Sequence, residues 1–369
     1  MVAVWNNVQR GNVMKKTLAI LLLLMLVVGC GDSTQTDQPA EQPTEQASDL
    51  EGSSDDDSGS GIGPMPLATT APAAETPPGS PPKPDETPVQ AADDAVAALK
   101  KLGAKIKQND NGDVSHIALY AIRPSERLKA LPHLKALTNL QDLDLDMTQI
   151  TDAGLADLKG LTKLQSLSFK SLGVTDAGLV HLKGMTKLQS LSLGLCGQIT
   201  DAGLVHFKGL TNLQRLGLHN TPVTDAGLVH FKGMTKLTFL NLHGNKITDA
   251  GLVHLKGLTE LRELNLGRNR VITGAGLVHL KGMTNLKSLR LDYTQITDAG
   301  LMHLKGLTEL RELDLGSGSQ KTKFTDAGMM HLKGMTKLRE LRLGLGTQVS
   351  AAGVADLQKA LPDCKIAQY

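Results

Sequence analysis

The segment Thr-Asp-Ala-Gly-Leu begins at Thr151, Thr175, Thr200, Thr224, Thr248 and Thr297, with variants at Thr273, Thr325 and Ser350. Successive copies start 24, 25, 24, 24, 25, 24, 28 and 25 residues apart. A unit of that size cannot bury its own apolar face, so a fixed period of this length predicts units stacked into an array. Ahead of each copy runs L-x-x-L-x-L, as in Leu140/Leu143/Leu145, Leu164/Leu167/Phe169 and, last, Leu338/Leu341/Leu343. In Leu216-Gly217-Leu218 the two leucines point one way and the glycine the other, the period of a strand. Thr224 stands at a helix N-cap, and Asp225 in the first turn suits the helix dipole. Lys232-Gly233 is expected to close that helix, with glycine at the C-cap. Five Phe, three Tyr and one Trp in 369 residues leave the core to aliphatics.

These units resemble leucine-rich repeats, in particular the variety with an I-T-D-x-G-L turn into the helix found in cysteine-containing, F-box-associated repeats and in many bacterial repeat proteins. The resemblance covers roughly residues 114–366. It implies an α/β fold: a right-handed horseshoe-shaped solenoid whose parallel sheet lines the concave side. The family's inward Asn or Cys ladder falls on Thr148, Cys196, Thr221, Asn245, Asn269 and Thr294, while Leu172 departs from the pattern and puts the second repeat's bond in question. No F-box-like segment precedes the array, and a ubiquitin-ligase role is not carried over.

The amino terminus reads as an address. Lys15-Lys16 precedes an apolar run from Thr17 to Val28, shorter than the ~20 residues a membrane-spanning helix needs and fitting a secretory signal. Cys30, directly after Val27-Val28-Gly29, resembles the cysteine of a bacterial lipobox, which implies lipid on Cys30 as the first mature residue. Met14 is a more typical start than Met1. Gly31 offers no strong inner-membrane retention signal, so a lipid-anchored envelope protein is expected, outer membrane favoured over inner, facing the periplasm or the surface. Residues 31–90 hold 11 of the 15 prolines and twelve acids against Lys83 alone, whereas 91–369 carries 25 acids and 35 bases. Such an acidic, proline-rich segment is expected to stay disordered as a tether with a reach of roughly 40 Å. The organisation expected is signal and lipobox 1–30, linker 31–90, an N-terminal capping helix and hairpin 91–137, the array 138–350 and a C-terminal cap 351–369.

Positions that stacking leaves free are the candidates for function. Outward strand positions run from Asp142, Asp144 and Asp146 at one end to Glu340, Arg342 and Gly344 at the other. The middle of this face carries Arg215, His219, Phe239, Asn241, His243, Glu263, Asn265, Arg290 and Asp292, with Tyr293 beside them. An exposed Phe among Arg and Tyr is the kind of cluster that anchors interfaces, so a protein partner on the concave face is the first expectation. The second is an anionic polysaccharide on an outer column of His181, His206, His230, His254, His279, His303 and His331, each two residues before a lysine and read as solvated. A hydrolase using Asp142 and Asp144, or His219 and His243, is the weaker third, since the acids share a strand and the histidines lack a nucleophile. No catalytic, metal or cofactor residues are assigned, and nucleic-acid binding conflicts with export. Cys196 and Cys364 lie about seven repeats apart, on the order of 30 Å, too far for the ~7 Å a disulfide spans. The basic Gly/Ser insertion Gly316–Lys323 accounts for the long spacing.

Overall fold

Alternation of leucine with polar residues needs a partner strand on each side, and the chain supplies one in every repeat. The computed structural model describes residues 88–317 and 322–368. Cys30, the signal, most of the linker and the tip of the insertion at 318–321 lie outside the described residues. Strands β1 (Lys105–Gln108) and β2 (Val114–Ala118) form an antiparallel pair. From β2 onward every strand is parallel to its predecessor: β3 (Asp142–Asp144), β4 (Ser166–Ser168), β5 (Ser190–Ser192), β6 (Arg215–Gly217) and β7 (Phe239–Asn241), then β8 (Glu263–Asn265), β9 (Ser288–Arg290), β10 (Glu312–Leu315), β11 (Glu340–Leu343) and β12 (Lys365–Gln368). The register puts Leu143, Leu167, Leu191, Leu216, Leu240, Leu264, Leu289, Leu313 and Leu341 side by side, closed by Ile117 and Ile366. All nine leucines are buried within one continuous apolar core. Burial of a leucine side chain stabilises by about 1.5–3 kcal/mol, and here each column member is covered by the next repeat. Helical segments, broader than strands at about 10 Å against 4.8 Å, sit on the other side and bend such a stack toward its sheet.

Those helical segments are shorter and tighter than an N-cap followed by an amphipathic helix implies. Asp225–Leu228 is one α turn continued as 3-10 by Val229–Phe231, and Gly203–Gly209, Gly251–Leu255 and Ala275–Leu280 are 3-10 throughout. A 3-10 turn rises about 2.0 Å per residue against 1.5 Å, so it crosses the unit with fewer residues. The left-handed glycine expected at Gly233 is absent: among the described glycines only Gly103, Gly112, Gly244 and Gly274 take positive φ. The chain leaves the helix instead through a turn in which Met234 N–H donates to Phe231 O at 2.9 Å, which needs no left-handed residue.

The repeated motif is satisfied between repeats. Thr224 caps its own helix by accepting from Ala226 N–H, and its own N–H and hydroxyl donate to the two carboxylate oxygens of Asp201, one repeat earlier, at 2.8 and 2.6 Å. Asp225 in turn receives Thr248, and the pattern recurs from Asp152 to Thr175, Asp176 to Thr200, Asp298 to Thr325 and Asp326 to Ser350. A Cβ on Gly178, Gly227, Gly251 or Gly353 would overlap the preceding repeat's Asp Oδ1. Thr, Asp and Gly of the motif are thus one contact spread over two units.

Behind the strands, Asn245 and Asn269 reach back to the preceding repeat: Oδ1 of Asn245 accepts from Thr221 N–H at 2.9 Å while its Nδ2 donates to Leu218 O at 3.0 Å. The second repeat does keep such a bond. Ser171, not Leu172, turns inward and donates to Ile150 O at 2.5 Å, leaving Leu172 71% exposed. At the amino-terminal end the helix Pro88–Leu102 buries Ala95 and Leu99 and opens three residues inside the expected linker, since proline's fixed φ suits a first helical position. Arg127 is buried there, its guanidinium donating to Tyr120 O, Ile122 O and Met147 O. At the other end the helix Ala351–Ala360 and β12 cover the last repeat. No helix among the described residues is long and apolar enough to cross a membrane.

Asp201→Ala removes two charge-assisted hydrogen bonds and is expected to lower stability by about 2–4 kcal/mol, read as a lower urea midpoint. Gly227→Ala should act in the same direction by displacing that carboxylate. Asp363→Ala, which breaks only an exposed 4.0 Å contact with Arg339, should change the midpoint by less than about 0.5 kcal/mol.

Candidate functional site

Outward side chains of the sheet fall into rows, one member per strand, because the register is uniform. The row through Asp144, Asn241, Asn265 and Asp314 ends its strands by self-capping. Asn241 Oδ1 accepts from His243 N–H at 3.0 Å, Asn265 Oδ1 from Gly267 N–H at 3.0 Å, Asp144 Oδ1 from Asp146 N–H at 2.9 Å, and Asp314 Oδ1 from Gly316 N–H at 3.0 Å. This Asx-type bond fixes the two carboxamides with oxygen toward the backbone and Nδ2 outward.

The next row holds His219, His243 and Asp292, and the glycines between them are not free positions. The His219 ring lies where a Cβ of Gly194 would be, and the Asp292 carboxylate where a Cβ of Gly267 would be. Gly194, Gly217 and Gly267, expected as open surface, are buried. His243 Nε2 stands 3.8 Å from Asp292 Oδ2 across Gly267. Burial pulls the His219 imidazole below its ordinary value, helped by Lys170 and His243. Burial likewise lowers His243, against the pull of nearby Asp292 and with the repulsion of Arg268 and Arg290. Burial and the neighbouring Asp314 raise the Asp292 carboxyl. Desolvation disfavours the charged form in all three.

Phe239 is half-buried rather than exposed, because the Arg215 guanidinium lies over its ring, 4.1 Å from the centroid. Tyr293 does not join it. Its ring is covered by Arg268 at 5.1 Å, both residues having positive φ, 57° at Arg268 and 55° at Tyr293. Asn220 and Gly244 share that repeat position and conformation, and these two residue types, which tolerate the left-handed region, were the sequence signal for a turn there that places Arg268. Phe239, Asn241, Glu263, Asn265 and Arg290 line one groove of about 410 Å³, together with Lys287 and Arg311. Those two cations had no place among the sequence candidates because they precede their strands. A comparison of repeats finds them, since the column that reads Gln141, Gln165, Gln189, Gln214 passes through Thr238 and becomes Arg262, Lys287, Arg311, Arg339.

Of the acids weighed for hydrolysis, Asp144 Oδ1 is held by Asp146 N–H and the Ser168 hydroxyl. Among the described residues no nucleophilic side chain hydrogen-bonds His219 or His243. The outer histidines are half-buried, not solvated, and the lysines beside them are exposed except the half-buried Lys333, paired with Asp356 at 2.6 Å. Burial and Lys208 lower His230. Val180, Val205, Val229, Val253 and Val278 stand exposed one residue before their histidines. Cys196 and Cys364 are free, buried thiols that burial pushes up, unlike the depressed thiolate of a reactive cysteine.

A family model described as leucine rich repeat matches residues 186–247, 211–271 and 259–320, and a second of the same description matches 136–159. The fold is a leucine-rich repeat solenoid. No curated protein matches the sequence. Among solved structures, internalin C2 from Listeria monocytogenes str. 4b F2365 is similar at 29% identity over 51% of this chain and 73% of its own, with a TM-score of 0.41. A leucine-rich repeat protein of Leptospira interrogans is similar at 19% identity over 64% of this chain and 56% of its own, TM-score 0.47. An internalin, inlF, from the same Listeria strain is similar at 21% identity over 75% and 94%, TM-score 0.45. Proteins built of these repeats commonly act as protein-binding scaffolds and are typically non-catalytic.

Because the folded state binds a proton on His219 and His243 more weakly than the unfolded chain, these two residues leave stability unchanged above the ordinary value of 6.5. They reduce it as pH falls through 6.5 toward the lower folded values. Titration of the imidazole Cε1 protons by NMR should give midpoints below 6.5 for both. Asp292→Asn should move the His243 midpoint further down, since it removes the one anion opposing the shift.

Proposed function

We propose that the protein is a non-catalytic scaffold that binds another protein through the exposed face of its sheet, held at the cell envelope by lipid on Cys30. The observation that carries the reading is the Arg215–Phe239 stack at 4.1 Å on the rim of the Asn241–Arg290 groove. A half-buried aromatic capped by a guanidinium offers a large contact area that is already ordered. Arg and aromatic residues of this kind dominate binding energy at interfaces, and cation–π contact adds about 0.5–2 kcal/mol as it is desolvated. The backing is rigid, since every strand beneath is anchored by a buried leucine, so little ordering is needed on binding. The envelope address rests on the order of charged start, apolar run and Cys30 in the sequence. Lipid on Cys30 would anchor through buried CH₂ groups, each contributing about 0.8 kcal/mol, and the outer membrane is favoured over the inner.

Immobilised full-length chain should retain one or more envelope proteins from a detergent extract. The pair Arg215→Ala and Phe239→Ala should weaken that retention about 30-fold, a loss of about 2 kcal/mol, with the melting temperature moved by no more than about 4 °C. Retention that survives this pair but disappears when Lys183, Lys208 and Lys232 are changed to Gln would replace the reading by the anionic glycan on the outer column. Cys30→Ser should shift the chain from the detergent phase to the aqueous phase in cloud-point partitioning. An unchanged partition would end the lipid anchor.

A further inference from the structure

Five donor groups converge on the groove between β7 and β10. Asn241 and Asn265 have their carboxamide oxygens tied to His243 N–H and Gly267 N–H at 3.0 Å each, so the Nδ2 group is what each presents outward. Neither Nδ2 has a hydrogen-bond partner among the described residues. Lys287, Arg290 and Arg311 line the same groove, and none of the three has a side-chain hydrogen bond or ion pair among the described residues. Other cations of the sheet face do meet carboxylates: Lys170 pairs with Asp146 at 2.7 Å and Arg342 with Glu340 at 2.9 Å. The groove therefore gathers donors that no protein acceptor among the described residues occupies, three of them charged, facing a concavity of about 410 Å³. Such a surface is complementary to an acceptor-rich, anionic ligand.

Two carboxylates decide which kind of anion fits. Glu263 and Glu312 belong to the same lining, Glu312 accepting from the Ser288 hydroxyl at 3.1 Å and Glu263 standing exposed with no side-chain partner among the described residues. A polyanion with charge at every step would be repelled by both. An extended peptide is not: its backbone carbonyls can accept from the asparagine Nδ2 groups, its N–H groups can donate to Glu263, and acidic side chains on alternate residues reach the cations. Alternate side chains of an extended strand lie about 6.6–6.8 Å apart on one face, against about 4.8 Å between successive strands of the sheet. Acidic side chains crossing the array can therefore meet Lys287, Arg290 and Arg311 without one-to-one register.

We propose that this groove is the recognition site for an extended acidic segment of a protein partner, one that alternates carboxylate side chains with neutral residues. The inference rests on the reading of the sheet face as a protein-binding surface and names the chemistry of what it takes.

The test uses the full-length chain and an end-blocked, fluorescein-labelled dodecapeptide alternating glutamate with threonine, beside the same peptide with glutamine for glutamate. Anisotropy should show the glutamate peptide binding at least tenfold more tightly than the glutamine one, with affinity falling as salt rises. Asn241→Asp with Asn265→Asp keeps the oxygen that caps each turn and replaces the outward donor by an acceptor. This variant should lose at least tenfold in affinity with an unchanged melting temperature. The triple change Lys287→Gln, Arg290→Gln, Arg311→Gln should lose as much, whereas Lys183→Gln with Lys208→Gln on the outer face should lose nothing. Equal affinity for the two peptides, or unchanged binding by both groove variants, overturns the inference; so does heparin occupying the groove more tightly than the glutamate peptide. Failure here is separable from failure of the scaffold reading. If envelope proteins are still retained, and still released by Arg215→Ala with Phe239→Ala, the face binds protein and only the acidic-segment assignment falls.

Discussion

Each aspartate of the Thr-Asp-Ala-Gly motif holds the threonine of the unit that follows, and the rest of the molecule depends on that bond. Stacking leucines is non-directional and by itself would allow neighbouring units to slip. The carboxylate, accepting at once from Thr N–H and Thr hydroxyl, fixes rotation and height of one unit against the next. The glycine two residues beyond the aspartate position leaves the space the carboxylate occupies. Where the motif lacks its aspartate, at Gly274, the neighbouring contacts rearrange. Asp249 accepts from Thr273, Gly274 and Gly276. Although burial raises the Asp249 carboxyl, these bonds together hold it below its ordinary value. One unit on, Thr297 N–H finds Thr273 O in place of a carboxylate; Gly274 takes φ 99°, and a Cβ there would also meet Gly300 Cα.

A uniform register turns the sheet face into a set of rows in which every side chain is conditioned by its neighbours one strand away. Gly194 is small because His219 lies over it, and Gly267 because Asp292 does. The face is also graded along its length. Its β3 end carries Asp142, Asp144 and Asp146, β4 and β5 carry serines, and Arg215, Lys287, Arg290 and Arg311 follow from β6 to β10. With His219 and His243 held toward the neutral form by burial, the positive character of the groove at neutral pH comes from Lys and Arg. A graded field of this kind orients an incoming partner before contact.

What the sequence made legible was whatever repeats within one unit. The leucine register, the threonine caps, the face bearing the candidates and the grouping of Phe239, Asn241, Glu263, Asn265 and Arg290 could all be read from periodicity and from comparing copies. What escaped was set between units. The aspartate looks like a dipole partner until the next threonine is placed beside it. Gly217 looks open until its flanking strands cover it. The histidines of the outer column look solvated because each stands two residues before a lysine, yet stacking leaves them half-buried. Ser171 shows the same limit, since the inward turn one residue early is a choice of backbone path that counting from Phe169 cannot reveal.

The position of the groove along the array has its own physical reason. In a linear stack each unit is stabilised only by the two beside it, so units near an end open more easily than those flanked on both sides. Strands β7 to β10 have β1–β6 on one side and β11 and β12 on the other, with the Ala351–Ala360 helix covering the last turn. Donors that must stay aimed at one volume gain from that placement, because any tilt between adjacent units would move Asn265 relative to Arg290 by a large part of a hydrogen-bond length. The clamp bonds from Asp225 to Thr248 and from Asp249 to Thr273 flank these strands on the helical side. The same carboxylates that hold the stack in register thereby hold the groove to its geometry, although none of them faces it.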